Sequence, residues 1–589
     1  MKIKRMLALA LALVMALAMA GCGNGDATDP TGAVAKNELA ICLASEPDTL
    51  DPALNAALDG ATMVIHLFSG LAKWDSDGKT VLPDLAEELP EGALNEDGTV
   101  TYTYTLKEGL LWSDGQPFTA GDIAFSWKRA AATETAADYG YMFEVVKGYP
   151  DDLAVEATDD RTLVVTLNNA VNYWNELLAF PTYMPVREDV VANEGWATDP
   201  STYVCNGPYA ITAWAHDSLI TLTKNENYHD AASVTMPTIK CYLSDDDNNM
   251  LANFKNGDWQ LIDNVPADEI PALKTSYPDE FQTIGQLGTY FICWNVNESV
   301  LPADSTLTGA EKAAAEAEIR QALALVLDRN YIVESLSQAG EIPASSFVGL
   351  GLTDFDGSQF YQNAGHSEEF DGYFDVNDVE GNFAKAVEIL KKYYAFDEAT
   401  QTFTGGPTFT YIYNTDSVHQ AIAEYVQGAF QSVGVTIQLE NQEWNTFLNT
   451  RNNGDFSVSR HGWVADYNDP ITFLDMWVSN SGNNDAQLGK GAHKDLAVYS
   501  IDLTPYGYDV VVENGTWAET YDKTISVIKS CTDAETRYAL MHYAEDLLMS
   551  TGCIAPIYYY TDLYMLNSSV NGFFVNPLGY KYFMYTTVE

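Results

Sequence analysis

The sequence predicts an α/β protein, and three stretches carry that expectation. Two helical stretches, FAKAVEILKKYYA and VHQAIAEYVQGAFQSVG, flank a strand, TFTYIYN, and the second helix stops at Gly434 before another strand, VTIQLE. Helices and strands that alternate in this way layer against one another. Val100, Tyr102, Tyr104 and Leu106 alternate with Thr99, Thr101, Thr103 and Thr105, the period of a half-buried strand. Further on, Phe456, Val458, Arg460, Gly462, Val464 and Asp466 share one parity and His461, Trp463 and Ala465 the other, which reads as a strand running into a turn.

In chain order, Lys2, Lys4 and Arg5 precede an apolar run that ends at Gly21-Cys22, a secretory shape too short for a membrane span. Cys22 after Met19-Ala20-Gly21 resembles a bacterial lipoprotein cleavage box. The expectation is a signal peptide over 1–21, a lipid on the Cys22 thiol, and a flexible tether over 22–36, GNGDATDPTGAVAK after the cysteine. The alternative is an ordinary signal peptide with a free amino terminus. No later apolar run reaches spanning length, so an extracytoplasmic protein held to the membrane by its lipid is expected.

Acidic residues number 83 against 30 basic ones, for a formal charge of −53, and removal of residues 1–21 makes it −56. Nucleic acid is excluded as a natural partner. A content of 47% hydrophobic and 12% aromatic residues is too apolar for disorder, so the carboxylates coat a large core. Six cysteines besides Cys22, at 42, 205, 241, 293, 531 and 553, form no C-x-x-C pair and no zinc spacing, leaving buried thiols or disulfides as equal readings. No metal and no cofactor is implied.

Asn37–Pro52 reads as a strand entering a turn, and Asp75 and Asp77 as turn residues rather than a calcium loop. Thr119 and Asp122 form a capping box. Tyr139 and Tyr141 are placed in the core, with the walls of a cleft as the alternative. Asp245, Asp246 and Asp247 suit a helix amino terminus. Thr308 and Glu311 open a helix expected to run through Arg329, and residues 481–520 read as an irregular insertion.

The strand of Arg460 and Asp466 is the candidate site. Six positions separate the two charges, about 20 Å when fully extended. Such an edge could take an extended zwitterion: main-chain pairing beside Gly462, a cation at Asp466, an anion at Arg460. On these residues alone the plainer reading comes first, that Asp466 merely opens the Asp-Tyr-Asn-Asp-Pro turn, with Arg460 a solvated edge residue.

Several motifs resemble the oligopeptide-binding proteins of bacterial peptide ABC importers, extracellular solute-binding protein family 5. They are SEPDTLDP at 45–52, WSDGQPFTAGD at 112–122, CNGPY at 205–209, and the long passage from Tyr413 to Asn483 that contains GWVADYNDP. The resemblance covers most of 37–589 and weakens over 340–375 and 481–520. It implies a two-lobed periplasmic-binding-protein-like fold (type II, cluster C) with an extra domain in the first lobe. The implied divisions are 37–68, 205–287 and 554–589 for the first lobe, 69–204 for the extra domain, and 288–553 for the second lobe, with hinge crossings near 288 and 553. It also implies a monomer that captures short peptides and delivers them to an importer permease and its ATPase.

Carried over residue by residue, the resemblance gives Asp466 the peptide α-ammonium and Gly462 and Val464 the backbone pairing. Arg460, Arg451 and His419 take the peptide carboxylate, and Trp444 and Trp463 are aromatic cleft residues. Near Ala56 and Leu58, where relatives often have an acid, Asp59 is the nearest candidate. Relatives of this architecture also carry oligosaccharides, metal chelates or haem. A surface hydrolase is the weaker alternative, resting on the S-x-x-K spacing of Ser526 and Lys529 without companion motifs. A surface adhesin would share the acidic, aromatic composition but not the order of the segments.

Overall fold

The computed structural model describes residues 37–589, so the expected signal peptide, Cys22 and the tether lie outside the described residues. One sheet carries the molecule. Its strands are β1 (Glu38–Cys42), β2 (Tyr209–Ala215), β3 (Leu219–Lys224), β4 (Thr238–Tyr242), β5 (Leu261–Ile262), β6 (Phe281–Trp294), β7 (Ile342–Pro343), β8 (Thr408–Asn414), β9 (Thr436–Gln442), β10 (Val458–Val464) and β11 (Ile554–Leu566). Their order is β9-β8-β10-β6-β11-β5-β1-β4-β3-β2, with β7 on β11.

The two long strands join the lobes. β6 and β11 are antiparallel from Phe281–Met565 to Cys293–Ile554, but the register shifts between Gly285–Thr561 and Thr289–Tyr559. On one side of this break β11 pairs with β5 of the first lobe, and on the other β6 pairs with β10 of the second. The break lies between Gly285 and Thr289 on β6 and between Tyr559 and Thr561 on β11, at the end of the apolar run IAPIYYY.

The extra region has its own four-stranded sheet, Ala93–Leu94, Val100–Thr105, Thr162–Leu167 and Val155–Ala157 in that spatial order. Helix Ala120–Ala131 opens with the capping box of Thr119 and Asp122 and buries Ile123 and Trp127. The Trp127 indole donates to the carbonyl of Tyr183 at 2.7 Å, tying the helix to the segment that lines the cleft.

The helix begun at Thr308 ends at Leu325, not Arg329. Asp328 starts a new turn by accepting the amide of Tyr331, and the buried Arg329 donates to the carbonyls of Ala324 and Leu327 at the end of the first helix. A local side-chain cap outweighs helical periodicity there. The six cysteines in the described residues are buried free thiols.

Candidate functional site

A cavity of about 490 Å³ lies between the lobes, and all eight predicted site residues line it: His419, Trp444, Arg451, Arg460, Gly462, Trp463, Val464 and Asp466. Helices α1 (Leu58–Leu67) and α2 (Ser417–Ser432) bring their amino-terminal turns to it, and α3 (Trp444–Asn452) lines it along its length.

β10 supplies an open edge. It pairs with β6 along its whole length, but with β8 only at Val458 and Ser459. From Arg460 onward β8 turns away, and Asn414 at its end accepts the Arg460 guanidinium through Oδ1. The edge beyond Ser459 is therefore available for an added strand.

Arg460 is buried, lies over the rings of Phe447 at 4.9 Å and Trp444 at 5.5 Å, and has no carboxylate within ion-pair distance among the described residues. Around it stand further polar groups. Nδ1 of His419, on the cavity wall, is buried and has no hydrogen-bond partner among the described residues, while the hydroxyls of Tyr290 and Tyr411 are buried close to each other and do not line the cavity. Burial, and after it the Arg460 charge, hold the His419 pKa down to about 4, with Asp416 opposing, so His419 is a neutral hydrogen-bonding group here. A cation beside a neutral imidazole with a free ring nitrogen describes an anion site.

Asp466 is the reverse case. Its carboxylate is buried, accepts Tyr139 Oη at 3.1 Å and Thr472 Oγ1 at 3.2 Å, and has no cation partner among the described residues. Burial, reinforced by the negative charge of Asp475, pushes its pKa well above the carboxylate range. The turn after it is pinned by Asp469, which accepts the amide of Ile471 and binds Arg537 through two bonds of 2.7 and 2.9 Å. The turn thus has its own aspartate.

Three other predicted residues are more committed than the sequence suggests. Arg451 Nε lies 3.0 Å from Asp485 Oδ2, so its charge is balanced inside the chain. Burial pushes Asp485 up, yet Arg451 and the His461 hydrogen bond outweigh it and hold the carboxyl below its usual range. With His461 Nε2 donating to Asp485 at 2.9 Å, Nδ1 is an acceptor and takes the Gly462 amide at 2.8 Å, leaving the Gly462 carbonyl free for pairing. An added Cβ at 462 would meet Tyr560 Oη at 2.0 Å, so any larger residue there has to displace that ring. Trp463 donates its indole N–H to the carbonyl of Thr472 and lies 6.1 Å from the Tyr139 ring.

The sequence missed Asp485 and assigned Tyr139 to the core. Tyr139 reaches across from the first lobe, and Asp485 comes from the irregular 481–520 segment, which also sends Asn483 to the cleft wall. Only the absence of periodicity around Gly482–Asp485 hinted at a role for that segment. Ser526 is exposed, whereas Lys529 is held at 3.1 Å by both Glu144 and Asp475.

The lobes meet directly. Besides Tyr139 with Asp466, the Asn468 amide donates to Glu176 at 2.6 Å, Lys529 pairs with Glu144, and the amide of Ser417 donates to Asp247 at 3.1 Å. Tyr173 stacks on Tyr467 at 4.4 Å.

Two lobes on a shared sheet around a charged cleft define a periplasmic-binding-protein-like fold. Residues 80–485 match the model for "Bacterial extracellular solute-binding proteins, family 5 Middle", and the chain belongs to that family. It is 30% identical over 566 residues to the oligopeptide-binding protein OppA of Bacillus subtilis, covering 93% of this chain and 92% of that one. Haemophilus influenzae OppA, solved in complex with RPPGFSPFR, superposes with a TM-score of 0.77 at 25% identity, over 94% of this chain and 99% of the other. The Escherichia coli murein tripeptide binding protein MppA gives 0.77 at 25% identity, over 94% and 99%. Its unliganded open form gives 0.57 at 24%, over 94% and 98%.

Proposed function

We propose that this chain captures short peptides between its lobes and delivers them to the permease and ATPase of an ABC importer. One observation carries the reading: among the described residues the cleft holds a buried cation without a carboxylate partner at Arg460 and a buried carboxyl without a cation partner at Asp466, on either side of an open strand edge. A free peptide supplies the complement of all three, with its carboxylate, its α-ammonium and a backbone to pair. The resemblance to OppA in complex with RPPGFSPFR supports it.

Calorimetry with free, N-acetylated and C-amidated tetrapeptides tests the proposal. Binding of the free form with a large loss for each blocked form is expected. Equal binding of all three would overturn it. The protein works outside the cytoplasm, tethered as a monomer through a lipid on Cys22. Metabolic labelling with a fatty acid should mark the wild type and not Cys22→Ala, and an unlabelled wild type would sink the anchor.

A further inference from the structure

Lys529 completes an S-x-x-K spacing for which peptide capture leaves no role. Its side chain is 11% exposed and lies outside the cavity, between two carboxylates, Glu144 at 3.1 Å and Asp475 at 3.1 Å. The two partners are not equivalent. Asp475 is buried in the second lobe together with the lysine, so that pair moves as one body. Glu144 sits in the short helix Gly140–Val145 of the extra region, where its carbonyl accepts Asn168 Nδ2 at 2.8 Å and the next residue, Val146, bridges to Leu167 of that region's own sheet. The bond between Glu144 and Lys529 therefore exists only when the lobes are together.

Other contacts of the same kind surround it. Asn169 Nδ2 donates to the carbonyl of Lys529 at 2.9 Å, and Asn480 Nδ2 donates to Glu144 at 3.4 Å. Glu176 accepts the Asn468 amide at 2.6 Å. The Tyr173 ring stacks on Tyr467 at 4.4 Å, and the Arg537 guanidinium lies 5.7 Å from the Tyr173 ring. Each of these contacts joins a residue of 144–176 to one of 467–537, and none of the residues lines the cavity. A ligand held in the cavity does not touch them.

We propose that Glu144 and Lys529 fasten a clasp through which the extra region sets the protein's affinity for every ligand without contacting any of them. The apparent affinity of a ligand is its affinity for the closed form scaled by the fraction of ligand-free protein that is closed. A bond made only on closing raises that fraction, and it does so alike for all ligands, because the ligand takes no part in it. In the open form Lys529 keeps Asp475, so separating the lobes strands no buried cation. In the closed form Glu144 adds a charge-assisted hydrogen bond away from bulk water. The clasp acts on whatever the cavity takes and does not rest on the peptide reading.

The test compares the wild type with Glu144→Ala and Glu144→Lys, the second placing a like charge against Lys529. Titration calorimetry with trialanine, tetraalanine and pentaalanine should show Glu144→Ala weakening every peptide that the wild type binds by about tenfold or more and by one common factor, with Glu144→Lys weakening each further. Folding is checked by circular dichroism, and Glu176→Ala takes their place if neither variant folds. No loss, or a loss that differs from peptide to peptide, overturns the clasp while the peptide reading stands. If the wild type binds none of the three, the peptide reading falls, and small-angle scattering of the ligand-free proteins decides the clasp. A larger radius of gyration in Glu144→Lys than in the wild type supports it, and equal radii overturn it.

Discussion

Among the described residues, Arg460 and Asp466 lack what Arg451, Lys529 and Lys581 have, a partner of opposite charge within 4 Å. Losing a ligand charge from such a site costs about 2–5 kcal/mol, so Asp466→Asn should weaken tetrapeptide binding on that scale. N-acetylation of the peptide should cost the wild type a similar amount, and the two changes together much less than their sum, as measured by calorimetry. The two arginines should separate. Arg460→Ala should abolish discrimination between free and amidated peptides with little change in melting temperature. Arg451→Ala should keep that discrimination and lower the melting temperature, because it removes the charge that balances the buried Asp485. At this scale the cleft residues were legible because their types and order follow a family pattern. The internal partner of Arg451 was not, because Asp485 lies 34 positions away in a segment without periodicity.

At the scale of elements, strand parity across 456–466 was readable, and it matches a strand over Val458–Val464. What parity could not show is which edge stays open, since that depends on where β8 diverges, nor that the space beside Gly462 belongs to Tyr560. Gly462→Ala should therefore destabilise the protein by about 1–3 kcal/mol through overpacking. Tyr560→Phe in the same background should recover part of the loss in a thermal melt. No recovery would mean that the glycine serves the ligand rather than the ring. Helix ends were the less legible elements: the Asp328 cap moved one boundary by four residues, from Arg329 to Leu325.

Across the whole molecule, the two lobes and their linking strands followed from segment order, while the contacts between lobes did not, since Tyr139, Glu144 and Glu176 meet partners about 300 or more residues away. Those contacts bury carboxylates. Burial raises Asp59, Asp138 and Asp247 to about 6 in the closed arrangement, with Asp48, Asp485 and Asp416 respectively adding to the effect. A carboxyl whose pKa is higher closed than open takes up a proton on closing, so ligand-free closure gains as pH falls from above 6 toward the ordinary carboxylate range near roughly 4. Small-angle scattering of the ligand-free protein should show a smaller radius of gyration at pH 5 than at pH 7.5, with the difference reduced in Asp59→Asn/Asp138→Asn/Asp247→Asn. Identical radii at the two pH values would refute this.

The register shift between Gly285–Thr561 and Thr289–Tyr559 gives the joint mechanical character. Two antiparallel strands whose ladder is broken at this gap and shifted once more between Tyr290 and Phe291, yet runs on to either end, form a leaf spring. They flex across the gap, but they resist sliding along each other, because a slip of one residue would turn every side chain to the wrong face. The distance between the lobes is then close to a single coordinate, and a receptor that touches both can gauge occupancy by span alone without contacting what lies inside.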